Sequence, residues 1–221
     1  TPMFTLFPYT TLFRSGLMCM FSGNHDVDRL ARHLHGDELK VAFAFILSMP
    51  GAPFIYYGDE IGMRYVEGLK SVEGGYNRTG SRSPMQWDDS TNAGFSSAPA
   101  SDLYIAMDPD KDRPTAKKEM AAPDSLYHEV KKLIRIRQSH KALQSRGKIT
   151  FVYAEKNTYP LAYIREDGDE KILVIINAAA EAKTFACDAE PKEAIYNFGA
   201  AAEAKNGKIT VPAQSAGFYR I

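Results

Sequence analysis

The sequence predicts an α/β segment followed by an all-β domain. Two short apolar runs, Leu17–Ser22 and Phe54–Tyr57, are separated by an apolar helix-like stretch, and each run leads into polar residues. Two strands joined through a helix are typical of a parallel βαβ unit, whose functional side chains lie at the carboxyl ends of its strands. From Gln144 onward the hydrophobic period changes to two, which is typical of short antiparallel strands.

The first predicted helix runs from Glu38 to about Met49. Asp37 precedes it as a capping residue, and Pro50–Gly51 ends it. Its residues are apolar on all sides, so we expect this helix to be buried.

A long irregular segment, residues 58–122, precedes the second predicted helix. It is rich in Gly, Ser, Asp and Pro, but its aromatic residues can pack and argue against disorder. The second helix opens at Pro123–Asp124 with Asp124 as its cap, and it ends near His140.

Seven short strands are expected in the remainder of the chain. Asp167–Gly168 and Asn206–Gly207 are hairpin-turn signals between them. Short strands with frequent turns are typical of an antiparallel β-sandwich, and we place the boundary between the two parts near residue 143. The predicted strands are 149–153, 161–165, 171–176, 183–185, 193–196, 208–211 and 217–221.

Composition narrows the range of partners. The chain of 221 residues has 27 Lys+Arg and 27 Asp+Glu, so its formal net charge is zero, and neither nucleic acid nor a membrane is expected as a partner. The longest apolar run, Val41–Met49, is too short to span a bilayer.

The two cysteines, Cys19 and Cys187, have neither disulfide-framework nor zinc-ligand spacing. They are either free thiols in a reducing compartment, which favours a cytoplasmic location, or residues without a specific role.

Residues 1–15 are interpreted separately from the fold. Thr5–Ser15 resembles the in-frame translation of a sequencing-library adapter, and the alternative is a natural apolar strand and turn. We favour a non-native segment, which would place the start of the genuine chain near Gly16.

A dense polar cluster, Asn24–His25–Asp26, follows the first apolar run, with Arg29 three residues later. Polar groups at the end of a buried strand are costly to desolvate unless they are hydrogen-bonded or functional. Taken alone, the cluster is a weak signal, and a turn that caps a helix is the preferred interpretation.

Three motifs in a fixed order change that interpretation. The polar cluster, then Pro53–Gly62, then Arg82–Trp87 closely resemble the C-terminal part of the α-amylase family of glycoside hydrolases, and Asn92–Phe95 fits its oligo-α-glucosidase and trehalose-synthase-like branch. The resemblance implies that residues 16–143 form part of a (β/α)8 TIM barrel, from strand seven to helix eight. Residues 144–221 would then be the family's C-terminal β-sandwich domain.

The resemblance also implies roles for the residues of the cluster. Asp26 corresponds to the family's transition-state stabiliser, which binds sugar hydroxyls while positive charge develops in the ring. His25 corresponds to a residue that binds sugar hydroxyls in the same subsite. Asn24 and Arg29 resemble positioning residues, and for Arg29 a structural salt bridge is at least as well supported as a substrate contact.

Further candidates lie in the other two motifs. Arg82 is expected to bind substrate or an active-site carboxylate, with a purely structural role weighed equally. Asp59 and Glu60 are expected to brace the edge of the barrel rather than to react. Trp87 and Tyr65 are expected to be packing residues rather than sugar-stacking ones.

The implied activity is hydrolysis of α-glucosidic bonds in α-glucans or oligosaccharides by a retaining mechanism. Such enzymes need a nucleophile and an acid/base, and in this family both lie upstream of the motifs seen here. We therefore expect the chain alone to be a truncated, inactive part of an enzyme. No cofactor or metal is expected within it; the family's usual calcium site also lies upstream.

Two alternatives remain. One is a transglycosylase or isomerase of the same family, such as a trehalose synthase. The other, from a different class, is a carbohydrate-binding or structural module built on the β-sandwich, for which Tyr159, Tyr163 and Tyr196 are candidate contacts.

Overall fold

The structure is a computed structural model that describes residues 16–71 and 78–221. Strand β1 (Cys19–Phe21), helix α1 (Asp37–Ser48) and strand β2 (Ala52–Phe54) form the predicted parallel unit. The two strands pair in parallel with Phe21 opposite Phe54. Their carboxyl ends therefore lie side by side, which positions the polar residues that follow each strand.

Two boundaries in this unit differ from the prediction. Strand β2 ends at Phe54 rather than beginning there, because the chain turns so that the Tyr56 N–H donates to Ser22 Oγ at 3.0 Å. The residue that caps α1 is Gly36 rather than Asp37. Asp37 lies in the first helical turn, where a negative charge is favourable against the helix dipole.

The segment between β2 and the second long helix contains short 3₁₀ turns and one helix that was not predicted, α2 (Ala116–Ala121). Helix α3 follows at Leu126–Ser139 and ends before His140, as expected. Its cap is Ser125 rather than Asp124, because the Ser125 Oγ accepts the His128 N–H at 3.3 Å.

The rest of the chain forms two antiparallel sheets. Their strands are β3 (Lys148–Tyr153), β4 (Leu161–Asp167), β5 (Glu170–Asn177), β6 (Lys183–Ala186), β7 (Ala194–Phe198), β8 (Glu203–Lys205), β9 (Lys208–Val211) and β10 (Ser215–Arg220). The larger sheet has the order β3-β4-β5-β10-β7, and the smaller has the order β6-β9-β8. Strand β8 was not predicted; it pairs with β9 across Asn206–Gly207, where both residues have positive φ (51° and 70°).

The larger sheet is buried on both faces. Along β5, Ile172, Val174 and Ile176 pack in one cluster with residues of α1 and α3. The alternate residues Leu173 and Ile175 pack in a second cluster with Phe185 of β6 and Ile209 of β9. Strand β5 therefore contributes one face to the core beneath the helices and the other face to the core between the two sheets.

Burial also bears on the candidate contacts of the sheet domain. Tyr163 is 0% exposed and Tyr196 is 2% exposed, so both belong to the core, whereas Tyr159 is 45% exposed. Among the described residues, no helix has the length and apolar character that a bilayer span requires.

Two buried arginines clamp the turn between α1 and β2. Arg137 of α3 donates from Nη1 to the carbonyls of Leu47 and Met49, both at 2.7 Å, and from Nη2 to the carbonyl of Gly51 at 2.8 Å. Arg165 of β4 donates to the Ser48 carbonyl. These bonds occupy carbonyls at the end of a helix, which would otherwise be buried without partners.

We predict that Arg137→Met lowers the free energy of unfolding by about 3 kcal/mol, because three buried carbonyls lose charged donors. Arg135→Met is the matched control, since Arg135 is exposed on the same helix, and it should change stability by no more than about 0.5 kcal/mol. Urea unfolding of both variants measures the change in the free energy of unfolding. Equal losses of stability in the two variants would contradict a stabilising role for the hydrogen bonds of Arg137.

Candidate active site

The polar turn, residues 24–29, begins directly beyond strand β1. Asn24 Oδ1 accepts the backbone N–H groups of Asp26 at 2.7 Å and Val27 at 3.1 Å, which is an Asx turn. The turn leaves the side chains of His25 and Asp26 67% and 45% exposed, with His25 Nε2 3.4 Å from Asp26 Oδ2. Asn24 therefore shapes the turn, and His25 and Asp26 face solvent together.

A buried ion pair lies beneath the polar turn. Arg29 Nη1 and Asp59 Oδ1 are 2.9 Å apart, and both side chains are 0% exposed. The same Nη1 donates to the Tyr57 carbonyl at 2.7 Å, and Asp59 Oδ2 accepts from Ser22 Oγ at 2.7 Å. The pair joins the segment after β1 to the segment after β2, which is the geometry of a structural salt bridge.

The residues around the Arg29–Asp59 pair pack closely against it. A side chain at Gly23 would place its Cβ 2.9 Å from Asp59 Oδ2, so the chain needs glycine at this position. The Arg29 guanidinium lies 4.7 and 4.8 Å from the ring centres of Tyr56 and Tyr57. Burial raises the pKa of Asp59, while the Ser22 hydroxyl and the Arg29 charge act in the opposite direction.

A second segment, residues 78–82, lies against the polar turn. Arg82 donates from Nε to the His25 carbonyl at 2.9 Å and from Nη2 to Asp26 Oδ1 at 3.3 Å. Ser81 Oγ donates to the Val27 carbonyl at 2.7 Å. The structure thus brings Arg82 to Asp26, as one of the two weighed alternatives requires.

Arg78 completes this arrangement, and sequence reasoning missed it. Its Nη1 lies 2.8 Å from Asp26 Oδ1, closer than Arg82. No local pattern in the sequence could have identified it, because Arg78 lies just before the 3₁₀ turn Thr79–Arg82 and reaches Asp26 only through a contact between distant segments of the chain. Two guanidinium groups therefore meet one oxygen of Asp26.

Glu60 lies beside the buried pair but outside it. Burial raises its pKa, with backbone hydrogen bonds acting in the opposite direction. Its Oε2 is buried and has no hydrogen-bond partner among the described residues. Ionised Glu60 is therefore poorly compensated, in contrast to Asp59.

The two aromatic candidates, Tyr65 and Trp87, differ in how far they are buried. Tyr65 is 9% exposed, and the Arg32 guanidinium lies 3.9 Å from its ring centre, so it packs as expected. The expectation of buried packing for Trp87 is wrong, because this side chain is 52% exposed. Within residues 16–71 and 78–221, no group of three or more His, Cys, Asp or Glu side chains is arranged to hold a metal ion.

Chemically, the assembled site offers one half-exposed carboxylate held from one side by guanidinium groups, with an imidazole beside it. Such a group can accept hydrogen bonds from a polyhydroxylated ligand and can stabilise positive charge in it. Its position beyond the carboxyl ends of parallel strands is typical of the active sites of α/β enzymes.

Comparison with known proteins identifies the family. The model described as the alpha amylase catalytic domain matches residues 9–146, more than half of the chain. The chain belongs to the alpha-amylase family.

Individual relatives agree with this assignment. The chain is 29% identical over 230 aligned positions to glucan 1,6-alpha-glucosidase of Streptococcus pneumoniae serotype 4, with 89% of this chain and 42% of that protein covered. It is 32% identical over 165 positions to trehalose synthase of Thermus thermophilus, with 71% and 16% covered. The chain therefore spans less than half the length of these relatives.

Among solved structures, trehalulose synthase from Pseudomonas mesoacidophila MX-45 superposes with a TM-score of 0.76 at 26% identity, covering 90% of this chain and 42% of that one. The family and this neighbour imply the TIM-barrel fold for the α/β part.

We predict that Glu60→Gln stabilises the protein at pH 7. Because the pKa of Glu60 is higher in the folded than in the unfolded state, the folded state binds more protons between the two pKa values, and stability falls as pH rises through that window. The advantage of the variant should shrink as pH is lowered toward about 4, the ordinary Glu pKa. Urea unfolding from pH 4 to pH 8 measures it.

The matched control is Glu155→Gln, since Glu155 is exposed and should show no such trend. A stability difference for Glu60→Gln that is independent of pH would contradict a burial-raised pKa.

Proposed function

We propose that this chain forms one side of the active site of a glycoside hydrolase that cleaves α-glucosidic bonds in α-glucans or oligosaccharides by a retaining mechanism. The observation that carries the proposal is Asp26: a carboxylate 45% exposed beyond the carboxyl ends of two parallel strands, contacted by Arg78 and Arg82. The names of the relatives, among them a glucan 1,6-alpha-glucosidase, support the substrate class.

Asp26 would act as the transition-state stabiliser. The two arginines contact its Oδ1, whereas Oδ2 faces His25 at 3.4 Å. Oδ2 can accept hydrogen bonds from sugar hydroxyls, and these bonds strengthen as the ring acquires oxocarbenium character. The guanidinium groups orient the carboxylate beforehand, so little reorganisation is needed as charge develops.

The nucleophile and the acid/base would come from residues outside this chain. Retaining enzymes hold these two carboxyl groups about 5–5.5 Å apart on either side of the scissile bond. Asp59 is unsuitable for either role because it is fully buried and bound to Arg29 and Ser22. Asp59 and Arg29 are therefore proposed as positioning residues, and His25 and Arg82 as substrate-binding ones.

We also propose a division of the chain into three parts. Residues 1–15 are a non-native segment, residues 16–143 form part of a TIM barrel, and residues 144–221 form a β-sandwich domain. The core shared by Leu173 of β5 and Ile209 of β9 supports a sandwich of the two antiparallel sheets.

A transglycosylase or isomerase of the same family is the second candidate. It is favoured by the names of two relatives, trehalose synthase and trehalulose synthase. The chemistry at Asp26 would be the same, and the products formed from maltose by the longer parent protein would separate the two: glucose supports hydrolysis, and trehalose supports isomerisation. A binding module built on the sheets is less supported, since Tyr163 and Tyr196 are buried.

The test uses deoxynojirimycin, a glucose-shaped amine, in mildly acidic buffer, where its ring nitrogen is protonated. Purified chain should bind it, and Asp26→Asn should weaken that binding about tenfold or more, because the cation loses its carboxylate partner. Asp28→Asn is the matched control: Asp28 lies in the same polar turn but pairs with Arg32 at 2.7 Å. Its variant should bind like wild type in an NMR titration that follows the His25 ring.

Equal binding by wild type and Asp26→Asn would contradict the role of Asp26. The chain alone should not hydrolyse a nitrophenyl α-glucoside, and turnover that Asp26→Asn abolishes would contradict the division of catalytic groups.

A further inference from the structure

A side-chain contact outside the candidate site lies where helix α3 meets the sheets. His140, the residue that follows α3, contacts Glu170, the first residue of β5, with Nδ1 and Oε1 2.6 Å apart. The two side chains are mostly buried, with 14% and 24% of their surface exposed. The other carboxylate oxygen, Oε2, accepts the backbone N–H of Ala142 at 2.9 Å. One carboxylate therefore holds both the histidine ring and the backbone just beyond it.

The backbone held in this way is the 3₁₀ turn Lys141–Leu143. The Leu143 N–H donates to the His140 carbonyl at 3.1 Å. Ala142 and Leu143 are fully buried in the core that they share with α1, α3 and β5. Opening of the turn would expose this apolar surface, so the turn has a packed state whose local stability depends on the contacts that hold it.

The turn also leads to hydrogen bonds that reach α1. The carbonyl of Gln144, the next residue, accepts from Arg165 Nη2 at 2.8 Å, and Arg165 Nη1 donates to the Ser48 carbonyl at the end of α1. A loosened turn would thus disturb the donor of a buried helix carbonyl. The contact between His140 and Glu170 is therefore placed to affect how firmly α1 and the larger sheet are joined.

The surroundings of Glu170 favour its ionised form. Burial raises the pKa of Glu170. The Ala142 N–H and the His140 ring act more strongly in the opposite direction, and the Arg220 charge adds to them, so the pKa lies below its ordinary value. The stabilising contribution of this carboxylate is therefore present above about pH 4, the ordinary Glu pKa, and is lost only as pH falls further, through the lowered pKa.

The other charged groups beside the contact belong to residue types that ordinarily keep their charge near neutral pH. Arg220 of β10 is paired with Glu193 at 3.1 Å, and the sequence neighbours Lys141 and Asp169 are exposed and opposite in charge. Carboxylates, lysines and arginines ordinarily titrate outside the range from about pH 5 to about pH 8, whereas histidine titrates within it. His140 is thus the group through which pH can change this contact.

We propose that the contact between His140 and Glu170 is a pH-sensitive fastening, which holds the turn Lys141–Leu143 in its packed state more firmly at about pH 5.5 than at about pH 8. A neutral imidazole with its proton on Nδ1 donates one ordinary hydrogen bond to the carboxylate. An imidazolium donates a charge-assisted bond, which is roughly twice as strong. As pH rises through this range, the ring loses its charge and the fastening keeps only the weaker bond. The proposal does not depend on the proposed function.

Amide hydrogen exchange of the full chain tests the fastening, because the Leu143 N–H belongs to the turn itself. Its protection factor, which is corrected for the pH dependence of exchange, is measured for wild type, His140→Gln, Glu170→Gln and the double variant, which together form a double-mutant cycle. The coupling between the two side chains should change the protection about fivefold or more at about pH 5.5 and about twofold or less at about pH 8, because only the imidazolium is charged.

His128→Gln is the matched control. His128 lies on α3, and its ring contacts a backbone carbonyl, that of Met120 at 3.0 Å, instead of a carboxylate. This variant should leave the protection of Leu143 unchanged at both pH values. Circular dichroism should show that all variants remain folded. If Glu170→Gln does not fold, the test is the protection of wild type relative to His140→Gln, a ratio that should be larger at the lower pH.

Two results would overturn the fastening. One is a coupling, or in the simpler test a ratio of wild type to His140→Gln, that has the same size at both pH values. The other is an equal effect of His128→Gln and His140→Gln on the protection of Leu143, because the change would then reflect the loss of any histidine from this part of the chain.

Discussion

The buried ion pair between Arg29 and Asp59 is the constraint on which the candidate site depends. It connects the residues after β1 to those after β2, with both side chains fully buried and the charged atoms 2.9 Å apart. A buried pair of this kind costs desolvation energy and is weak evidence for stability by itself. Its value here is geometric, because the polar turn that carries Asp26 begins two residues beyond Ser22, which also binds Asp59.

Electrostatics then divides the carboxylates of the site into two kinds. Asp59 is enclosed with its countercharge, so it cannot reach a ligand. Asp26 keeps 45% of its side chain exposed while Arg78 and Arg82 contact one of its oxygens. Asp59 is thus a buried structural carboxylate and Asp26 an accessible one, although both follow strands of the same parallel pair.

Sequence reasoning found the features that depend on strong local patterns. The apolar runs around α1, the helix that ends near His140 and the continuous apolar run of β5 are large signals, because each buries several side chains. Strand β8 and helix α2 were missed for the opposite reason, since β8 is exposed along its whole length and α2 has no buried residue. Neither has a hydrophobic pattern to detect.

In the candidate site, too, residues in sequence motifs were predicted and those that depend on distant contacts were not. Asp26, His25 and Arg82 stand in recognisable motifs, but Arg78 and the exposure of Trp87 arise from contacts between distant segments. Tryptophan is a large apolar side chain, so packing was the natural expectation for Trp87, whereas its ring is 52% exposed. The predicted N-terminal caps of α1 and α3 were each wrong by one residue, because adjacent residues can each serve as a cap.

We propose that the buried pair of Arg29 and Asp59, although enclosed itself, positions Asp26 for ligand binding. The most direct test replaces both partners together, as Arg29→Met with Asp59→Leu, since apolar replacement of a buried pair often preserves folding. We predict a folded protein whose affinity for deoxynojirimycin is lower by about tenfold, because displacement of Asp26 weakens its contacts. A folded double variant that binds with wild-type affinity would contradict this positioning role of the ion pair.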